Sequence, residues 1–479
     1  MVSSLKEKAV KGISWNLIEK FGIQGIKFIL GIILARLLTP EDFGLIGMIT
    51  VFFAVANVFI NSGFGAAYVQ KKEVSDVDAN TVFFTNLGIS IILYGILWIA
   101  APVIADFYEQ PKLIDLTQVM GLVILINAFN VIQIAQVKRN INFKRKTKIT
   151  LFGTITSGII AVSAAYYGLG VWSLVIYQLG HRFLTTTGLW ISNKWSPSLK
   201  FSITAFKSMF SFGGWMLLSG IIRKIFDNIY ILTIGKFFPA AQVGFYTKSK
   251  DFQRMGANRL AQAVGEIAFP VLSNLQDNKE KMQNAMRKFL KYSMAFIMPL
   301  LVTLIVIADP FVILLLKEKW APMVPYLQLL SIVGILYPIH YINTQVLLAQ
   351  GKSKWSFNLD VIKNGMRILN IIIMYRFGVL FIIIGEVILS IIALTINTYY
   401  TNKLINYGFL YQIRDIYKIG LGALIAGGTA FIISSSFENL WIILITGLVL
   451  TIVIYSGIQY FINKKLIVEI ISLKGFFKS

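Results

Sequence analysis

Cysteine is absent from this chain, so disulfides and thiolate metal sites are excluded, and two histidines leave little for imidazole chemistry. Charge is also scarce. Of 479 residues, 14% are charged and 56% hydrophobic, with a mean hydropathy of +0.71, which excludes a soluble enzyme and an amphipathic peripheral binder. No connection reaches the ~50 residues a separate domain needs. A phosphate-binding loop is missing, so the chain is not by itself an ATP-driven pump. No sizeable external loop with clustered carboxylates offers a catalytic centre, and no catalytic residue, cofactor or metal site is expected. The opening MVSSLKEKAVKGISW lacks the small-residue cleavage site of a signal peptide, so its first helix is expected to stay in the protein.

What the chain has instead is apolar runs, among them Ile89–Ile104, Ile159–Ile176 and Trp441–Tyr455. About 20 mostly apolar residues cross a hydrocarbon core. Division on that length predicts an all-α polytopic membrane protein of about fourteen spans. They fall near 10–36, 43–65, 81–105, 113–137, 149–168, 170–192, 208–236, 240–272, 290–316, 323–349, 355–376, 378–401, 415–434 and 440–462. Alternate loops differ sharply in charge. One set holds roughly 28 Lys and Arg, including Lys138, Arg139, Lys144, Arg145, Lys146 and Lys148. The other holds only Arg36, Lys112, Lys236, Lys317, Lys319 and Arg376. The basic set marks the cytoplasmic side, with both termini there. The net charge of +23 is then topology plus attraction to anionic membrane lipids, and nucleic acid is not needed.

A repeat is visible at an offset of about 200 residues. Trp15 and ARLLTPEDFGLI (Ala35–Ile46) correspond to Trp215 and GKFFPAAQVGFY (Gly235–Tyr246). Each copy has a small residue, a cation, two apolar residues, a proline and an apolar-Gly-apolar helix start. The bland alternative is that any two helical hairpins share Pro and Gly at a turn. Six spans between copies keep them in the same orientation, as in transporters built from parallel repeats. The expected organisation is an N-lobe at 1–207, a C-lobe at 208–402, and two further helices at 403–479 that face lipid.

Charges recur inside the spans, where they are expensive and normally face a bundle interior or a water-filled path. A 100° step puts Lys248, Asp251, Arg254, Asn258, Arg259, Gln262 and Glu266 on one face of the eighth span, opposite Phe252, Met255, Leu260, Ala263, Val264 and Ile267. The seventh aligns Ser219, Arg223, Asp227 and Tyr230, with Lys224 at the edge. The first aligns Asn16, Lys20, Gln24 and Lys27; the eleventh Asp360, Lys363, Asn364, Arg367 and Asn370; the twelfth Glu386, Ser390 and Asn397. Single residues near span ends can snorkel, and Lys224 with Asp227 or Asp360 with Lys363 can be structural pairs. Five helices sharing the pattern point to a polar path. Basic groups exceed acidic ones, which favours an anionic cargo. Asp227, Asp251, Glu266, Asp360 and Glu386 are the candidates for coupling to H+ or Na+. His181 and His340 are expected to be interface or packing residues.

ILARLLTPEDFGLIGM (Ile33–Met48), NSGFGAAYVQ (Asn61–Gln70), QVKRNINFKRKTKI (Gln136–Ile149), VGFYTKSKDFQRM (Val243–Met255) and FPVLSNLQ (Phe269–Gln276) carry a family resemblance. Through them the chain resembles the polysaccharide transporter family of the multidrug/oligosaccharidyl-lipid/polysaccharide exporter superfamily, and looks most like Wzx-type flippases. The resemblance implies two six-helix lobes with two additional helices, alternating access, and a bacterial plasma-membrane location. The implied cargo is an undecaprenyl-pyrophosphate-linked oligosaccharide, with polysaccharide assembly proteins as partners. The family's lobe-lining basic residues match, by helix, to Lys20, Lys27, Arg223, Lys224, Arg254, Arg259, Lys363 and Arg367. On this chain's own pattern, the basic groups are expected to hold the pyrophosphate, and Asn258 and Gln262 the neutral sugars. One rival is a cation-coupled multidrug exporter, which needs a cavity dominated by acids and aromatics. The other is a membrane glycosyltransferase or ligase, which needs an external catalytic loop.

Overall fold

The computed structural model describes residues 15, 22–61, 64–71, 73–140, 143–193, 195–464 and 468–469, and every regular element among them is helical. Two compact units divide between Gly244 and Phe245. Unit 1 contains α1 (22–37), α2 (Pro40–Asn61), the short α3 (Phe64–Gln70), α4 (Asp76–Tyr108), α5 (Leu113–Arg139), α6 (Phe143–Tyr166), α7 (Trp172–Ser192), α8 (Ile203–Asp227) and α9 (Ile229–Phe237). Helix α10 (Ala240–Gly256) begins in it. Unit 2 continues with α11 (Asn258–Asn274), α12 (Lys279–Val306), α13 (Ala308–Leu316), α14 (Val324–Ala349), α15 (Ser353–Met374), α16 (Val379–Ile405), α17 (Phe409–Ser434) and α18 (Leu440–Ile462).

Each predicted span has its helix, and three are split: the seventh at Asn228, the eighth at Ala257 and the ninth at Ile307. At Asn228 the side-chain amide donates to the Lys224 carbonyl at 2.8 Å, a local bond that competes with the regular ladder. The break at Ala257 is one residue wide. Bonds from Ala257 N to Gln253 O and from Ala261 N to Ala257 O, both 3.0 Å, cross it, so the polar face keeps its register. Nine described helices are long and apolar enough to cross a membrane. Helices α10 and α11, at 17 residues each, are shorter than that set requires, as are the half-spans α9 and α13. The chain is an all-α, polytopic membrane protein.

Local signals start and stop these helices. Ser75 and Asp78 form a reciprocal capping box at α4, and Thr39 with Asp42 does the same at α2. Asp78 also receives Lys71 at 2.7 Å. Helix α4, with 33 residues, is about 50 Å long and outreaches a ~30 Å hydrocarbon core. In unit 1, Phe83 packs edge-on against Phe129, Trp190 and Trp195, anchoring α4 to α5 and to the end of α7.

In unit 2, α17 and α18 pack on α12 rather than standing apart. A Cβ at Gly427 would strike Val302, Ala423 and Ala426 are fully buried, and the Tyr455 hydroxyl donates to the Ala295 carbonyl at 3.0 Å. Their outer faces expose Leu424, Ile425, Ile452 and Val453, as a lipid-facing surface does. Helices α17 and α18 fall within the second compact unit, and α8, which packs on α2 and α3, within the first.

One ion cluster ties α12 to α17. Arg287 holds Asp415 through two bonds, at 2.7 and 2.9 Å, Lys291 approaches at 3.0 Å, and the Tyr407 hydroxyl donates at 2.7 Å. Burial and the bond to Asp415 push the Tyr407 phenol well above its ordinary pKa. Asp415→Ala leaves two cations and a phenol without their acceptor. Breaking a buried pair costs about 3–5 kcal/mol. The Arg287 and Lys291 side chains are 43% and 33% exposed, so water recovers part of that. The expected loss is roughly 2 kcal/mol, read as a lower melting temperature of the detergent-solubilised protein. An unchanged melting temperature refutes the clamp.

Candidate functional site

The polar faces are built as the sequence suggests, with corrections at their edges. In unit 1, Lys27 on α1 and Arg223, Lys224 and Asp227 on α8 are all exposed. Lys20 and Asn16 lie outside the described residues. Tyr230, expected on the same face as Arg223, is buried at 3% exposure because the split at Asn228 starts a new helix, α9.

In unit 2, Asp251, Arg254, Arg259 and Glu266 are exposed along α10 and α11, with Asn258 and Gln262 half-buried between them. Lys248, expected in this row, is buried, its ammonium 5.7 Å from the Phe252 ring centre. On the opposite face Phe252 is buried, but Ala263 and Ile267 are exposed, so α11 is not an apolar wall all along. Gln253 donates to the Asn258 side chain at 3.2 Å, and Gln262 reaches the Tyr337 hydroxyl at 3.5 Å. Neither Arg254 nor Arg259 forms a hydrogen bond or salt bridge among the described residues, and Arg254 faces the nearby charge of Asp251. Their guanidinium forks remain open to a ligand.

Helix α15 supplies the second row. Asp360 is exposed, while Lys363, Asn364 and Arg367 are half-buried. Arg367 donates to Asn364 at 3.0 Å. Asn370 turns away from this row, buried, to donate to the Ile382 carbonyl of α16 at 3.0 Å. Asp360 with Lys363, and Lys224 with Asp227, form no salt bridge among the described residues, although the charge of Asp360 acts on Lys363. Among the described residues, no ion pair joins Arg254 or Arg259 to α15.

Helix α16 contributes residues whose partners periodicity could not name. Glu386 accepts from the Tyr246 hydroxyl at 3.2 Å, and Tyr246 receives the Lys250 ammonium at 3.0 Å. The four-residue spacing of Tyr246 and Lys250 within VGFYTKSK is the signal that could have found this chain. Ser390 and Asn397 bracket His340, at 3.1 and 2.8 Å from its two ring nitrogens. His340 is thus a packed, hydrogen-bonded residue, and Asn397 is buried behind it. In unit 1, His181 stacks on Tyr177 and lies 3.4 Å from Thr154.

These rows present fixed cations, acids and amides on helices otherwise clad in apolar side chains. Charged and polar groups at membrane depth normally face a bundle interior or a water-filled path. Among the described residues no group of three or more His, Asp or Glu could hold a metal ion.

Comparison with known proteins places this architecture. The family described as polysaccharide biosynthesis protein matches residues 33–325. Two relatives are similar over most of their length. One is the teichuronic acid biosynthesis protein TuaB of Bacillus subtilis (strain 168), 26% identical over 360 residues, 74% of each chain. The other is the lipopolysaccharide biosynthesis protein WzxC of Escherichia coli (strain K12), 27% identical over 406 residues, 83% of this chain and 81% of the relative. Among solved structures, the lipid II flippase MurJ in an inward closed conformation superposes with a TM-score of 0.77 at 16% identity, covering 95% of this chain and all of that one.

Proposed function

The chain belongs to the polysaccharide biosynthesis protein family, and we propose that it moves an undecaprenyl-pyrophosphate-linked oligosaccharide across a bacterial plasma membrane by alternating access. The observation that carries the reading is the pair of exposed, unbonded guanidinium groups, Arg254 and Arg259, on helices set in a membrane-spanning unit. Arginine matches phosphate oxygens with a planar fork and stays charged when partly desolvated. Within the same unit Lys363 and Arg367 add positive potential, Asn258 and Gln262 bond neutral sugars, and the prenyl tail stays in lipid; Lys27, Arg223 and Lys224 are the exposed cations of unit 1. A carrier of this kind makes and breaks no covalent bond. The basic excess disfavours a multidrug exporter, whose cationic cargo would meet repulsion here.

The test is genetic and chemical. A deletion strain should accumulate lipid-linked oligosaccharide and lose the matching surface polysaccharide, with both restored by the wild-type chain. Normal carrier levels in the deletion strain would overturn the reading. Coupling to H+ or Na+ falls to Asp251 and to Glu386, whose carboxylate already accepts from Tyr246. Reconstituted flipping that ignores both gradients would return these acids to a structural role.

Orientation follows from charge. We place the Lys144 and Lys279 ends in the cytoplasm and Glu109 and Glu438 outside. The natural lack of cysteine makes labelling clean. Glu109→Cys and Glu438→Cys should react with an impermeant thiol reagent on intact cells, and Lys144→Cys and Lys279→Cys should not. Labelling of Lys144→Cys from outside reverses the topology.

A further inference from the structure

At the end of unit 1 that holds few cations, three connections converge: the start of α2, the α4–α5 turn and the α6–α7 turn. They line a half-open cavity of about 280 Å3, with Asp42, Lys112, Asp115, Gly168, Gly170 and Trp172 among its walls. That volume lies just under the ~300–1,000 Å3 of ordinary ligand pockets, so it suits one small ring rather than an extended chain. No residue of the charged rows takes part in it.

The sequence builds this wall deliberately. Gly168 and Gly170 have φ of +83° and +53°, left-handed values that fold the α6–α7 connection into a tight turn. Thr39 donates to one Asp42 oxygen, Oδ2, from its backbone N and its hydroxyl, at 2.9 and 2.8 Å. The other oxygen, Oδ1, faces Gly170, where a Cβ would lie 3.5 Å away. Asp115, in the first turn of α5, is exposed. The Lys112 ammonium is 3.9 Å from Glu41, with both side chains more than half exposed, so it can turn to a ligand. Trp172, at the start of α7, keeps 36% of its surface exposed.

Carboxylates only accept hydrogen bonds, an ammonium only donates them, and an indole offers a flat apolar face with a polar edge. The complement is a molecule with hydroxyls around its rim and a C–H face. A hard cation is a poor match, because Lys112 lines the cavity and only two carboxylates do. An acidic sugar or a phosphate meets those two carboxylates, with Glu41 close by. A tryptophan at this level can also serve as an interfacial anchor, but an anchor does not require acids and an ammonium around it.

We propose that this cavity is a saccharide subsite that holds one neutral pyranose ring of the glycan at the end of unit 1 remote from the basic loops. It rests on the flippase reading for the source of the sugar. Asp42 and Asp115 accept from ring hydroxyls, Lys112 donates to one, and the Trp172 indole stacks on the C–H face.

The experiment is saturation-transfer NMR on the purified full-length protein with methyl β-glucopyranoside, methyl β-galactopyranoside and methyl β-glucuronide as separate probes. At least one neutral glycoside should receive saturation, and the glucuronide should receive less. Asp115→Asn and Lys112→Ala should each weaken the neutral probe, and with Trp172→Ala added the loss should reach about tenfold. Trp172→Phe, which keeps an aromatic face, should retain most of the binding and guards against misfolding of the alanine variant. Absence of any neutral-glycoside signal, a stronger glucuronide signal, or unaltered binding in Asp115→Asn with Trp172→Ala each overturns the subsite. The deletion strain separates the two readings. Accumulated lipid-linked oligosaccharide without glycoside binding removes the subsite and leaves the flippase; normal carrier levels remove the flippase whatever the NMR shows.

Discussion

Replacing Arg254, Arg259 and Arg367 together by alanine is expected to abolish glycan export while the protein still reaches the membrane. Arg254 and Arg259 are exposed on α10 and α11 without hydrogen bonds of their own, so their removal breaks no bond, and Asp251 beside Arg254 keeps the neighbouring charges of Lys248 and Lys250. Arg367 gives up one bond to Asn364. Stability should therefore change little, and the loss should fall on the ligand. A charged contact to phosphate is worth ~1.5–3 kcal/mol, a tenfold or larger effect at each site. Arg254→Ala and Arg259→Ala should each cut export severely. Lysine at either position keeps the charge without the planar fork and should retain part of the activity. Arg376→Ala, on the exposed turn after α15, is the control and should export normally. The readout is surface polysaccharide per unit of membrane-localised protein. Near-normal surface polysaccharide in the triple variant would defeat anion binding by these residues and make the charged rows structural.

The helices were legible because membrane burial imposes a length and a hydropathy that a single sequence displays. The splits at Asn228, Ala257 and Ile307 were not, since each spans a residue or so and leaves the apolar pattern intact. The charged faces of α10 and α11 were readable from periodicity, as the bonds crossing Ala257 hold one register. Partners were not readable. Arg287 and Lys291 look like ordinary topology charges, yet they grip Asp415 more than 120 residues away, a separation no local pattern encodes. Asn370 and Asn397 share a helical face with charged neighbours but are drawn inward, because an amide can satisfy a facing carbonyl or imidazole where a charge would not. The saccharide cavity was invisible for a similar reason, as its lining comes from three turns with no motif in common.

The two matching segments touch one another, and disruption of that contact should be the most damaging change to folding. Pro40 and Gly44 in the first copy correspond to Ala240 and Gly244 in the second, 200 residues on. Within unit 1 these four residues meet reciprocally. A Cβ on Gly44 would collide with the Ala240 carbonyl, and a Cβ on Gly244 would collide with the Pro40 carbonyl. Small residues four apart, such as Ala240 and Gly244, are how membrane helices bring backbones together. A side chain that meets another side chain can rotate; one that meets a carbonyl forces the helices apart. Gly44→Val and Gly244→Val should therefore each cost more than the ~1–3 kcal/mol of ordinary overpacking. The expected result is little folded protein on fluorescence-detected size exclusion, with Gly44→Ala and Gly244→Ala milder but in the same direction. Gly88 on α4 has nothing within 4 Å of its Cβ position, so Gly88→Ala should leave the folded yield unchanged or slightly raised. If Gly44→Val folds as well as Gly88→Ala, α2 and α10 do not meet backbone to backbone.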